Sequence, residues 1–183
     1  MAYNYRDDPI LGPALSYWLG KRGGLAMPRK RDIDPVEIPP KILPNLQLIE
    51  VIDDGARFRY RLVGTALVDA YGRDFSGRIA DELFPDDRLN FVQGIYRSVC
   101  TSKAPIFSRN KYHTPRNIDL FSMRIYLPLS DDGFAVHHIL GAMRFEYGAV
   151  FDEGLWGLYS TLDPEWHYTE AVSLDSRSLE LAD

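Results

Sequence analysis

Residues 72–78 read GRDFSGR, two glycines, two arginines and an aspartate within seven positions, set between apolar segments. A glycine loop that cradles phosphate needs a strand before it, a helix N-terminus after it and a βαβ frame around both. Here the stretch falls between two short helical segments, and no Lys-Ser/Thr pair follows. The nucleotide-loop reading fails on that context. The residues fit a shaped turn instead. Gly72 would end the preceding helix in the left-handed conformation, Gly77 would permit a second bend, and Asp74 would pair with Arg73 or Arg78. Phe75 would then point inward.

No other constellation in the chain promises catalysis. The acidic pairs Asp53-Asp54, Asp86-Asp87 and Asp131-Asp132 fall at expected turns or caps, where aspartate serves the local backbone. No GxSxG or HExxH pattern occurs, so enzyme activity is not expected. His137 and His138 are adjacent on an expected strand and leave opposite faces, so they cannot hold one metal together. His113 falls in a loop-like stretch. The single cysteine, Cys100, cannot form an internal disulfide, and it reads as a small buried apolar group. Arg57, Arg59 and Arg61 form a ladder on one strand face, with Arg29, Lys30 and Arg31 upstream. The formal net charge of −5 over 183 residues speaks against nucleic acid or an anionic membrane as a general partner.

The elements that must position these groups follow from periodicity. With 45% hydrophobic and 13% aromatic residues the chain can build a core. Gly12-Pro13 opens a short helix whose Leu15, Trp18 and Leu19 share a stripe, and Gly23-Gly24 closes it. That stripe must dock on the main domain or on a second subunit, and it is assigned to a dimer or partner contact. Residues 28–45 hold five prolines and read as an extended connector. LQLIEVI (46–52) and RFRYRLV (57–63) form a hairpin around DDG, the second strand alternating strictly. A longer helix over roughly 87–101 carries Phe91, Val92, Ile95, Tyr96 and Val99 on one stripe. Strands at 105–112, 118–129 and 137–147 close the domain, the last two joined through DDG at 131–133. Residues 148–183 are a tail, partly packed. The division is thus 1–45 helix and connector, 46–147 folded domain, 148–183 tail. Neither a signal peptide nor a membrane span is apparent, and a cytoplasmic setting is expected.

Strands flanking a helical middle define an α+β fold: a five-stranded antiparallel sheet covered on one face by short helices and one longer helix, with an N-terminal helical extension. A space between the layers would be a natural pocket. Its walls are expected from Phe58, Tyr60 and Leu62, from Leu67, Tyr71 and Phe75, and from Phe91 and Ile95. The last two strands would add Phe121, Met123 and Ile125 and then Ile139, Met143 and Phe145. Most of these would simply pack. Tyr60, Tyr71 and Ser122 have polar tips that could orient a small molecule.

This order, with Trp18, Pro28, Asp34-Pro35, Leu43-Pro44, RFRYRLVGT (57–65), GRDFSGR (72–78) and LPL (127–129), resembles the PAS domain family, and more narrowly the single-PAS proteins of alphaproteobacteria. The resemblance covers roughly residues 12–147. It implies the fold and a role in signal reception or regulation. No kinase, cyclase or helix-turn-helix segment fits in the remaining residues, so a module without catalytic output is expected, binding a small molecule or signalling through a protein partner, with a homodimer formed through the Leu15, Trp18 and Leu19 helix. The resemblance names no cofactor. Flavin sensors of this class carry a reactive cysteine in a G-R-N-C stretch, where this chain has Phe75 and Ser76. Haem-binding members place an axial histidine on the long helix, where this chain has none. Flavin and haem are therefore not expected. A ligand-free interaction adaptor is the alternative, and a small-molecule enzyme a third.

Overall fold

The computed structural model describes residues 4–84, 86–113, 119–147 and 164–171. Among these residues three α-helices, α1 (Leu11–Arg22), α2 (Thr65–Tyr71) and α3 (Asp86–Ser102), accompany six strands: β1 (Leu46–Ile52), β2 (Arg57–Val63), β3 (Ile106–His113), β4 (Asp119–Leu129), β5 (His138–Tyr147) and β6 (Pro164–Ala171). The strands form one sheet in the order β2-β1-β5-β4-β3-β6, and all neighbours run antiparallel. The α+β fold and the five-stranded antiparallel sheet expected from the sequence are present. The sixth strand, β6, falls in the part read as a tail and extends the sheet beyond β3.

The sheet is covered on both sides at its centre. α3 packs against β2, β3 and β4, whereas α1 packs against β4 and β5. Residues 122–130 are buried without interruption. A strand covered on both faces loses the alternation that would reveal its orientation. Cross-strand register settles it: Arg124 pairs with Met143 and Ser108, while Met123 pairs with Arg144 and Arg109.

The N-terminal helix is not a separable extension. Leu11, Leu15 and Trp18 join Met27, Ile38 and Ile42 in the same buried cluster as the sheet. Trp18 is fully buried, and its indole N–H donates to the Pro128 carbonyl of β4 at 2.8 Å. Asp8 caps the helix through bonds from the N–H groups of Ile10 and Leu11, both 2.8 Å, and its other oxygen meets Arg144 Nε on β5 at 2.7 Å. The assignment of Leu15 and Trp18 to a dimer contact is therefore corrected. Their apolar surface is consumed by their own sheet, and Leu19 is only partly buried against the same cluster.

A second correction concerns β2. Leu48 pairs with Leu62, but the next residue Ile49 pairs with Tyr60, so Arg61 is an extra residue in β2. Such a bulge reverses the side-chain alternation beyond it. Phe58 and Tyr60 point into the core, Leu62 is 51% exposed, and Val63 takes the inward place. The arginine ladder is paired: Arg57 with Asp81 at 2.6 Å, Arg59 and Arg61 with Glu50.

The Asp131-Asp132 turn is built as its residue types suggest. Asp132 Oδ1 accepts from the N–H groups of Phe134 and Ala135 and from Ser130 Oγ, which lowers its carboxyl pKa to about 2.

Replacing Trp18 by Ala should cost about 3–5 kcal/mol of unfolding free energy. Trp18→Phe, which keeps most of the volume but strands the Pro128 carbonyl, should cost about 1–3 kcal/mol. Urea denaturation followed by circular dichroism distinguishes the two.

Candidate functional site

The GRDFSGR stretch is a strap across the free edge of β2. Gly72 ends α2 in the left-handed conformation (φ 74°), and Gly77 (φ 82°) makes the second bend. Gly77 N–H donates to the Tyr60 carbonyl, and Tyr60 N–H donates to the Arg78 carbonyl at 2.9 Å. Asp74 does not pair with Arg73 or Arg78 as expected. It accepts from the N–H and hydroxyl of Ser76 at 2.8 and 2.7 Å, while Arg78 pairs with Glu82. A short aspartate two residues from a serine closes its own turn more cheaply than it reaches a long arginine. Phe75 turns inward and stands edge-on to Tyr60 and Tyr71, with ring centroids 4.9 and 5.3 Å away.

Behind the strap, between α2, α3 and the sheet, lies a small, partly enclosed cavity of about 20 Å³. Its floor is sheet: Gln47 of β1, Tyr60 of β2, Arg124 of β4 and Met143 of β5. Tyr71 and Phe75 form one wall. Phe84, Arg88, Phe91, Val92 and Tyr96 come from α3 and the turn before it. A volume of this size holds a water molecule or two, so any larger guest must extend through the mouth or displace side chains.

The polar groups here are deeply placed. Gln47 is 2% exposed and its Nε2 has no hydrogen-bond partner. Arg124 is buried, and its Nη1 donates to Asn110 Oδ1 at 2.9 Å. Arg88 is buried on the inner side of α3. The Tyr60 and Tyr96 hydroxyls share a hydrogen bond of 2.9 Å. Burial raises both phenol pKa values, so the pair stays protonated at any physiological pH.

Of the residues expected on the pocket wall, Tyr60, Tyr71, Phe75, Phe91 and Met143 reach this cavity. Phe58, Leu67, Ile95 and Ile139 are buried as core around it, Phe58 edge-on to Tyr96 at 5.1 Å. Leu62 faces outward, as described above. Phe121, Met123 and Ile125 are corrected: they occupy the opposite face of β4, with the Arg109 guanidinium 5.0 Å from the Phe121 ring centre. The odd positions of β4 are the apolar ones, which made them look like the pocket side, but the helix-facing positions carry Ser122, Arg124 and Tyr126. Gln47, Arg88 and Arg124 were therefore missed by reading polar residues as outward. For Gln47 and Arg124 the one signal available was their position, a polar residue inside a largely apolar run, whereas Arg88 in the stretch DDRLN (86–90) gave none.

Cys100, at the end of α3, is partly buried against the core, and burial pushes its pKa up to about 11, away from a reactive thiolate. No group of three metal-ligating side chains occurs among the described residues, and none of their helices is long and apolar enough to cross a membrane.

A sheet roofed by short helices, with a polar-floored cavity between the layers, is the arrangement of a small sensor-type α+β fold. The family model described as a PAS domain matches residues 9–144, and the chain belongs to that family. No curated protein matches the chain. The match begins ahead of α1, so the helix and proline-rich connector lie within the matched unit. PAS domains are in general sensory or regulatory modules, and that broad class applies here.

Two outcomes follow. Removing one hydroxyl of the buried pair, as Tyr60→Phe or Tyr96→Phe, should cost about 1 kcal/mol, and the double variant less than the sum of both. With its pKa raised from 9.0 to about 11, Cys100 in the folded chain should carry roughly 100-fold less thiolate than an ordinary cysteine. Iodoacetamide labelling at pH 8, with and without urea, should show at least that difference.

Proposed function

We propose that this chain is a sensory or regulatory module without catalytic output of its own, and that it takes up a small molecule in the cavity between α2, α3 and the sheet. One observation carries this reading: a buried amide, Gln47 Nε2, stands without a partner at a partly enclosed cavity. Leaving such a donor unmade costs about 1–3 kcal/mol, which folded chains tolerate chiefly where a ligand or an ordered water completes the bond. Occupancy would act on α3, because Arg88, Phe91, Val92 and Tyr96 all lie on that helix. A guest that fits one placement of α3 better than another shifts the population between them.

The output would pass to a protein partner or to a second copy of the chain, in a cytoplasmic, bacterial setting. With Leu15 and Trp18 buried, a homodimer would have to use surface other than that stripe. The second reading, a ligand-free interaction adaptor, is favoured by the small volume of the cavity and by the edge-on aromatic packing around it.

Native mass spectrometry of freshly purified full chain separates the two. A protein peak carrying a stoichiometric small mass, lost on acid denaturation, is the expected result. Repeated preparations at the bare chain mass, with no small-molecule-induced change in thermal stability across a metabolite panel, would leave the adaptor.

A further inference from the structure

The turn between β4 and β5 holds two histidines that the cavity does not use. We propose that this turn is a proton-operated latch: with His137 and His138 neutral it grips the proline-rich connector, and protonation of the two imidazoles lets the connector go.

The grip is a backbone joint. Residues 28–30 lie alongside the end of β4, where the Lys30 N–H donates to the Ser130 carbonyl at 2.9 Å and the Ser130 N–H donates to the Pro28 carbonyl at 3.0 Å. Ser130 is buried. The turn beyond it is closed by His137, whose N–H donates to the Leu129 carbonyl and whose carbonyl accepts from Val51 of β1, both at 2.9 Å. A movement of residues 130–137 therefore moves the edge on which the connector rests.

His137 ties that turn through its ring. Its Nδ1 accepts the Asp131 N–H at 3.1 Å. An imidazole nitrogen accepts only while its lone pair is free, so the ring proton lies on Nε2, 3.9 Å from Asp132 Oδ2. A second proton takes the lone pair, and the bond next to Ser130 is lost. Asp132 holds the N–H groups of Phe134 and Ala135 and the Ser130 hydroxyl, so reaching for the charged ring would cost the turn those bonds.

His138 acts on the same backbone unit. It pairs with Leu129 of β4 and Glu50 of β1, its side chain is 17% exposed, and its Nδ1 is buried without a hydrogen-bond partner. The Asp131 carboxylate is 3.8 Å away, too far to bond, and Glu50 is already paired with Arg59 and Arg61. Burial disfavours the cation and outweighs Asp131 and Glu50, which favour it, while Lys30 and His137 add to the burial effect; the His138 pKa is lowered as a result. A histidine of lowered pKa stabilises the closed form above the ordinary imidazole value of about 6.5, and that stability is lost as pH falls below it. Once charged, His138 must leave its site or draw Asp131 towards it, and Asp131 is the residue whose N–H His137 holds. Trp18 and Asp8 still anchor α1 to the sheet, so the part released is the connector that carries Arg29, Lys30 and Arg31.

Hydrogen exchange of the full chain, followed by NMR at pH values of about 7.5 and 5.5 and constant ionic strength, tests the latch; protection factors remove the intrinsic effect of pH. The Lys30 and Ser130 amides should lose at least about threefold in protection at the lower pH, where each ring freed to its ordinary pKa gains up to about tenfold. The Tyr60 and Gly77 amides, which bond β2 to the strap, are the distant reference and should keep their protection. His137→Asn, whose Oδ1 replaces the acceptor, combined with His138→Leu should leave the joint equally protected at both pH values. Each single variant should respond less than the wild-type chain, and serves where the double variant fails to fold. Unchanged protection of Lys30 and Ser130 in the wild-type chain overturns the latch. A loss shared by Tyr60 and Gly77 overturns it in favour of acid destabilisation of the whole domain, and a full loss that persists in the histidine variants overturns the assignment to these two rings.

Discussion

Strand β4 lies at the centre of the molecule with both faces covered, and the requirement to cover them organises most of the remaining chain. One face needs α3 and the strap from residues 72–78. The other needs α1, whose indole bonds the β4 backbone at Pro128 and whose cap, Asp8, is tied to Arg144 on the neighbouring strand. Hydrophobic coverage supplies the driving force, and the two polar ties fix where the helix comes to rest. A helix of twelve residues would be marginal alone, so its stability is that of its docking.

The same double coverage decides what could be read from the sequence. β2 and the helices were legible because their spacing separates a polar from an apolar face, and β1 and β5 because each is a short, largely apolar run beside turn residues. The α+β class followed from their order. The orientation of β4 was not legible, since SMRIYLPL is buried along its whole length and carries no alternation. Leu62 failed for a different reason. A single extra residue, Arg61, resets the phase of β2, and nothing in RFRYRLV distinguishes a bulged strand from a regular one. Tyr60 could be placed near the cavity because the bulge at Arg61 lies beyond it, and Phe75 because it is the one apolar side chain in GRDFSGR. Gln47, Arg88 and Arg124 could not, because polar residues on amphipathic elements are ordinarily outward.

Those three residues give the interior its character. Polar groups taken out of water weaken a core unless they are bonded, and here they sit among tyrosines whose hydroxyls already pair with one another. An apolar filling of equal volume would serve stability as well or better. Their placement on three different elements, β1, α3 and β4, around one cavity, ties any change in its contents to the relative position of helix and sheet.

The strand β6 lies beyond the stretch matched by the PAS family, and it occupies the border of the sheet along β3. That border offers one row of backbone donors and acceptors, and a row can be paired only once. Another polypeptide that recognised β3 by lengthening the sheet would have to displace residues 164–171 first. The chain's own C-terminal segment and such a visitor are competitors for a single berth, so the tail sets the threshold that the visitor must exceed.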